Sequence, residues 1–240
     1  MDKVWAIARR DLVAAFTAPL AWLVLAAWTF VTGITLGITV LMLQGATADS
    51  PLYVSSLSAG FVLLMFLAPA LTMTAFAAER QYGTMALLVT APVGDAQLVA
   101  GKALASFLLL ASLALALLPQ VAGLALMSSV APMQFTAGMI GLLLAAAAAT
   151  GIGIWISLLV DSPVTAYVLT FGAILVLTLV GLLPQDTPFG RLAEAIGLGP
   201  RIAPFLAGRI EAGSVAYFLA VAAGGLVLAR SVVAARRIDG

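Results

Sequence analysis

The stretch Glu79-Arg80-Gln81-Tyr82-Gly83-Thr84-Met85-Ala86-Leu87-Leu88-Val89-Thr90-Ala91-Pro92 is a charged, turn-bearing island in an otherwise apolar chain. Upstream of it nothing is charged back to Asp49, and beyond Lys102 nothing is charged until Asp161. A charge at the centre of a membrane helix costs roughly 2.5–3.5 kcal/mol on insertion scales. The island therefore has to reach water while its flanks do not. Residues that surface from so apolar a chain read as a handle for a soluble partner.

Composition points the same way. The chain has 240 residues, of which 63% are hydrophobic and 9% charged, with a mean hydropathy of +1.17. A soluble domain carries about 25% charged residues, so this is an integral membrane protein. The net charge of +1, with no basic run longer than two adjacent arginines, gives no nucleic-acid footprint. Neither cysteine nor histidine occurs, which removes disulfides, thiolate nucleophiles, the usual general base and the usual metal ligands. No catalytic, cofactor or metal residue is expected. The first apolar run starts too late and is too long for a signal peptide.

The charges divide the chain into six expected spans, at about Leu20–Leu43, Ser56–Ala78, Ala103–Met127, Met133–Val160, Pro163–Leu183 and Gly213–Val233. The gap from Lys102 to Asp161 exceeds one helix of about 20 residues, and Ser128-Ser129 through Pro132 splits it. The runs are too long for barrel strands, so the spans are helices. Lysine and arginine bias places both termini in the cytoplasm, together with Lys3, Arg9, Arg10, Arg80, Lys102, Arg230, Arg236 and Arg237, while Arg191, Arg201 and Arg209 fall outside.

Outside the spans, Trp5, Leu12 and Phe16 share one helical face. That suits either a helix in the cytoplasmic interface over residues 1–18 or a charged flank of the first span. Within the island, Thr84 is a candidate N-cap for a short helix over Met85–Thr90 that Pro92 ends. Asp95 would cap the next helix. The island is then a stubby helix with an apolar tip for a groove on another protein, or else a connecting loop whose leucines dip into lipid. Residues 185–212 hold Phe189, Leu192 and Ile196, then Ile202, Phe205 and Leu206, broken at Gly197–Pro200. These suit two short helices that enter the outer leaflet and return, or a loose loop. Gly94 and Gly101-Lys102-Ala103 fail as a phosphate loop: six residues separate the glycines, and alanine stands where a hydroxyl should hold magnesium.

Inside the spans, Thr32, Thr35 and Thr39 lie near Gly33 and Gly37, whose four-residue spacing permits close helix packing. Gln120 is the amide expected to make an intramembrane polar contact. Pro69 and Pro119 should kink or weaken their helices.

The run Glu79-Arg80-x-x-Gly83-Thr84-x-x-x-Leu88-x-x-x-Pro92, ending in Gly101-Lys102, resembles the cytoplasmic stretch of type-2 ABC exporter permeases. It is most similar to the small six-span branch that includes the gliding-motility permeases. Ala91-Pro92-Val93, Leu98-x-x-Gly101-Lys102 and Phe205-x-x-Gly208-Arg209-Ile210 fit that branch. The resemblance implies an all-α integral membrane fold of six transmembrane helices in a single permease domain, 1–240. An interfacial N-terminal helix, a cytoplasmic coupling helix between spans two and three (79–95) and short re-entrant helices before span six would complete it. Glu79, Arg80, Gly83, Thr84 and Pro92 would shape the coupling region, with Leu87 and Leu88 touching the ATPase. The implied partners are a dimer of ABC ATPase subunits holding ATP and Mg, a second permease copy, membrane lipid and an extracytoplasmic accessory protein. The implied location is a bacterial inner membrane. ATP-driven export of an amphiphilic cargo is the leading expectation; the alternative is an ATP-driven signalling or motility complex without cargo. An intramembrane enzyme or proton-coupled transporter fits poorly, since no acidic residue is expected deep in a span.

Overall fold

A computed structural model describes residues 2–42, 52–84, 93–126, 132–183, 188 and 190–239. All regular structure among them is helical. Helix α1 (Asp2–Thr17) precedes α2 (Pro19–Met42), and α3 (Tyr53–Thr72) is followed by the one-turn α4 (Ala77–Gln81). Then come α5 (Asp95–Leu115), α6 (Leu118–Ala125), α7 (Pro132–Leu159) and α8 (Pro163–Val180). The short α9 (Gly190–Ile196) and α10 (Leu198–Leu206) lead into α11 (Ala212–Asp239).

Among the described residues, six helical segments are long and apolar enough to cross a membrane: Ala21–Met42, Tyr53–Gln81, Asp95–Ala125, Pro132–Leu159, Pro163–Val180 and Ala212–Ala235. Each overlaps the span expected from the charges. Two are interrupted, and proline is near each interruption. Pro69 lacks the N–H that would close its own turn, and α3 ends at Thr72. Pro119 stands in the first turn of α6, directly after the break at Ala116–Leu117. The polar threonines of α2 turn inward on their own helix: Thr32, Thr35 and Thr39 donate to the carbonyls of Trp28, Val31 and Thr35, which satisfies each hydroxyl proton within the helix.

Helix α7 is the axis of the bundle, with 67% of its most apolar window buried, against 11% for α2. Its small residues explain this. A Cβ on Gly151 would lie 2.6 Å from the Ala222 carbonyl oxygen of α11, and one on Gly141 would lie 2.6 Å from Phe205 of α10. Small residues let helix backbones approach where lipid offers no hydrophobic drive. The main core joins Trp28, Leu57, Leu110, Leu142, Phe205 and Phe218. A second cluster of Phe76, Leu98, Ile154, Leu158, Ala229 and Val233 lies at the end of the bundle where α4, α5, α7 and α11 meet.

The segment expected to be re-entrant, 185–212, contains α9 and α10, separated at Gly197, which packs against Gly181. Ile202 and Phe205 are buried. Phe189 lies outside the described residues, as do Ser128 and Ser129. Helix α1 turns Ala8 inward and sets Ile7 and the Val4 carbonyl against Gly101 of α5. Trp5, on the face that the sequence pattern marks, is exposed. The next helix begins at Asp95, with Gly94 rather than Asp95 in the cap position, and the Gly94 N–H donates to Oε1 of Gln97 at 3.2 Å. A glutamine three residues into the helix reaches back more readily than the aspartate beside the cap.

Candidate functional site at the root of the charged island

The described part of the island begins in α4, and its motif residues build the end of that helix. Gly83 has φ +70°, which L side chains disfavour. The Gly83 N–H donates to the Arg80 carbonyl at 3.0 Å and the Thr84 N–H to the Glu79 carbonyl at 2.9 Å. This pair of bonds is a Schellman stop. The spacing Glu79-Arg80-x-x-Gly83-Thr84 is therefore a helix terminus written in sequence. The same device recurs at Phe205-x-x-Gly208-Arg209: Gly208 has φ +79°, and Gly208 and Arg209 donate to Phe205 and Pro204. Thr84 also donates from its hydroxyl to the Glu79 carbonyl at 3.2 Å. The helix that Thr84 is expected to cap, Met85–Thr90, lies outside the described residues, as do Leu87, Leu88 and Pro92.

Glu79 and Arg80 point to different neighbours. Lys102 Nζ of α5 donates to Glu79 Oε1 at 2.8 Å and reaches Asp11 Oδ2 of α1 at 3.3 Å. Only 4% of the Lys102 side chain is exposed, and its ammonium stands 5.1 Å above the Phe76 ring. Burial of that charge requires such partners. Arg10 flanks the cluster, 2.9 Å from Asp11 and 3.6 Å from Glu79. Gly101 makes this geometry available, because a Cβ there would fall 2.8 Å from that of Ile7. Its absence lets α1 lie close enough for Asp11 to meet Lys102.

On the other side, Arg80 donates to the Leu158 carbonyl at 2.8 Å and pairs with Asp161, at the end of α7 and the turn beyond it. The interruption between α3 and α4 is held by Ser157. Its Oγ accepts from the backbone N–H groups of Phe76 and Ala77, each at 3.0 Å, and donates to the Met73 carbonyl at 3.0 Å. Those are the orphan groups a helix break creates, and one hydroxyl of α7 satisfies three of them. Next to it, a Cβ on Gly153 would fall inside the Thr72 side chain.

Sequence reasoning names Glu79, Arg80, Gly83 and Thr84, and the four lie together on and after α4. It gives no role to Asp11, Arg10, Asp161 or Ser157. Asp11 and Arg10 read as a charged flank, and a single serine near a helix end carries no signal of its own. The remaining named residues sit elsewhere. Gln120 Nε2 donates to the Thr29 carbonyl and Thr32 Oγ1 of α2 at 3.0 and 2.9 Å. Gly33 lies opposite that amide, whose nitrogen would be 3.8 Å from a Cβ placed there, and Gly37 faces open space within this chain.

Together these features define a class: a polytopic helical membrane protein in which a one-turn helix is tied by ion pairs to α1, α5 and the turn after α7. The family model for ABC-2 family transporter proteins matches residues 34–185. The chain belongs to that family, and is a membrane permease component of an ABC transporter, which works with an ABC ATPase subunit. No curated protein matched the sequence.

Proposed function

We propose that this chain is the permease half of an ATP-driven exporter in which the root of the island carries ATPase motion into the spans. The supporting observation is that α4 is fastened on two sides: Glu79 to α5 and α1 through Lys102 and Asp11, and Arg80 to the end of α7 through Leu158 and Asp161. A push on residues 85–92 would reach α1, α5 and α7 together, because the linkage is short and Glu79, Arg80 and Lys102 at its centre are largely removed from water. Ser157 keeps the break between α3 and α4 from absorbing that motion.

In this reading both termini and the island face the cytoplasm of a bacterial inner membrane. Leu87 and Leu88 meet the ATPase dimer, which binds ATP and Mg, and Pro92 ends the coupling helix. Helices α9 and α10 are the re-entrant pair on the far side. A second copy or a paralogue completes the permease, and its outward α2 face, with Leu23, Phe30, Ile34 and Ile38 exposed in this chain, is a surface available for that pairing or for lipid. An amphiphilic cargo suits spans whose ionised residues gather near their ends, and the motifs fit the small six-span branch. The test is ATP turnover by the assembled complex. Leu87→Asp and Glu79→Ala should each lower transport-coupled turnover while the permease stays folded; normal coupling in both variants contradicts the reading.

A further inference from the structure

Span three is built in two pieces, and the second is lightly held. Helix α5 ends at Leu115 and α6 begins at Leu118. Pro119 has no N–H to return to the Leu115 carbonyl. Leu117 closes the break with a three-residue turn, its N–H on the Ala114 carbonyl at 3.1 Å. Within α6 only Val121 and Leu124 are buried, while Leu118, and Leu126 just past its end, are exposed. Among the described residues, the side-chain hydrogen bonds from α6 to another helix are the two from Gln120 Nε2 to α2, on the Thr29 carbonyl and Thr32 Oγ1.

That tie is close to balanced. Gln120 Oε1 is buried without a partner among the described residues, and so is Trp28 Nε1, next to Thr29 on α2. The two bonds gained by Nε2 and the desolvated acceptor left bare are of similar size and opposite sign. The root of α6, by contrast, is firm. Leu117 is fully buried, and it meets the Trp28 ring over Gly60 of α3, where a Cβ would lie 3.2 Å from that ring and 3.6 Å from Leu117 Cδ1. Helix α6 therefore has a fixed root, a proline-weakened joint and a polar tie of small net worth.

We propose that α6 is a flap, hinged at Ala116–Leu117 and latched to α2 by Gln120. Latched, Nε2 sits on Thr29 and Thr32. Released, the amide leaves the packed seam, Oε1 becomes free to find a donor, and the seam between α2 and α6 opens. The flap occupies the end of span three away from Lys102, so it does not depend on the coupling role proposed above.

The test uses the full chain in lipid nanodiscs without any ATPase. Spin labels go on cysteines at Met42, the end of α2, and Leu126; both side chains are exposed and the chain has no cysteine of its own. Pulsed dipolar spectroscopy should return two distances. Thr32→Val, an isosteric change that removes one acceptor from Nε2, should raise the ratio of the longer to the shorter population about fivefold. Gly33→Leu grows a side chain toward the amide, since a Cβ there already lies 3.8 Å from Nε2. It should act in the same direction, so that either variant suffices if the other fails to fold. A control pair at Met42 and Leu182, which is exposed just past α8, should keep its distance in both. A single distance that neither variant moves overturns the flap. Two distances whose ratio neither variant changes overturn the latch. A shift shared by the control pair is loosening of α2 or of the whole bundle, and overturns the hinge.

Discussion

Lys102 and Glu79 meet at 2.8 Å with the lysine almost wholly buried, and Asp11 of α1 stands on the same ammonium at 3.3 Å. Removing the cation leaves two carboxylates facing each other without it. Lys102→Met should therefore destabilise the protein by about 3 kcal/mol, read as a lower midpoint of thermal unfolding in detergent. Lys102→Met combined with Glu79→Gln should recover part of the loss, because the charge left behind is what costs most. If the double variant is as unstable as the sum of the singles, the pair is not coupled.

Ser157 bridges α7 to the break between α3 and α4. Ser157→Ala strands the N–H groups of Phe76 and Ala77, and should destabilise by about 1–3 kcal/mol. Amide exchange at those two residues should accelerate well before that of the α7 core. Unchanged exchange there means the hydroxyl does not hold the break.

The two left-handed glycines should respond unequally. At Gly83 a Cβ meets nothing within 4 Å, so Gly83→Ala should cost only the backbone penalty, about 1–2 kcal/mol, and Gly83→Asn less. At Gly208 a Cβ also falls 2.6 Å from Gln134 Cγ, so Gly208→Ala should lower the unfolding midpoint further than Gly83→Ala. Equal effects would mean that side-chain crowding at Gly208 is relieved without loss.

The contact of α7 with α11 is backbone on backbone. Gly151→Val drives a side chain into Ala222, whose carbonyl oxygen lies 2.6 Å from the Cβ position. A loss of about 1–3 kcal/mol is expected from overpacking, measured by the same unfolding assay. Gly37→Ala, facing open space within the chain, is the control and should leave the isolated chain unaffected.

The spans are legible in the sequence because burying an isolated charge in lipid is costly, so the long uncharged runs mark their centres, while Lys102, paired inside α5, shows that a charge need not stand at a helix end. The interruptions at 73–76 and 116–117 are partly legible, since Pro69 and Pro119 announce missing N–H groups without saying which neighbour satisfies them. The motif around Gly83 is legible as a pattern, and its physical content, a Schellman stop, needs only the positive φ. The ion-pair partners are not legible. Asp11 and Lys102 are separated by 91 positions, and what brings them together is the absence of a side chain at Gly101. Ser157 is equally hidden, because a hydroxyl that bonds to a neighbouring helix is indistinguishable in sequence from one that bonds to its own.

The chain contains no cysteine, so a single one placed at Leu87 reports without background. With a cleavable photo-crosslinker attached there in native membranes, mass spectrometry identifies what the island touches. Capture of a soluble ATPase subunit is the predicted result. Adducts with lipid alone, in a protein that expresses well and is reachable from the cytoplasm nearby, would contradict the coupling role.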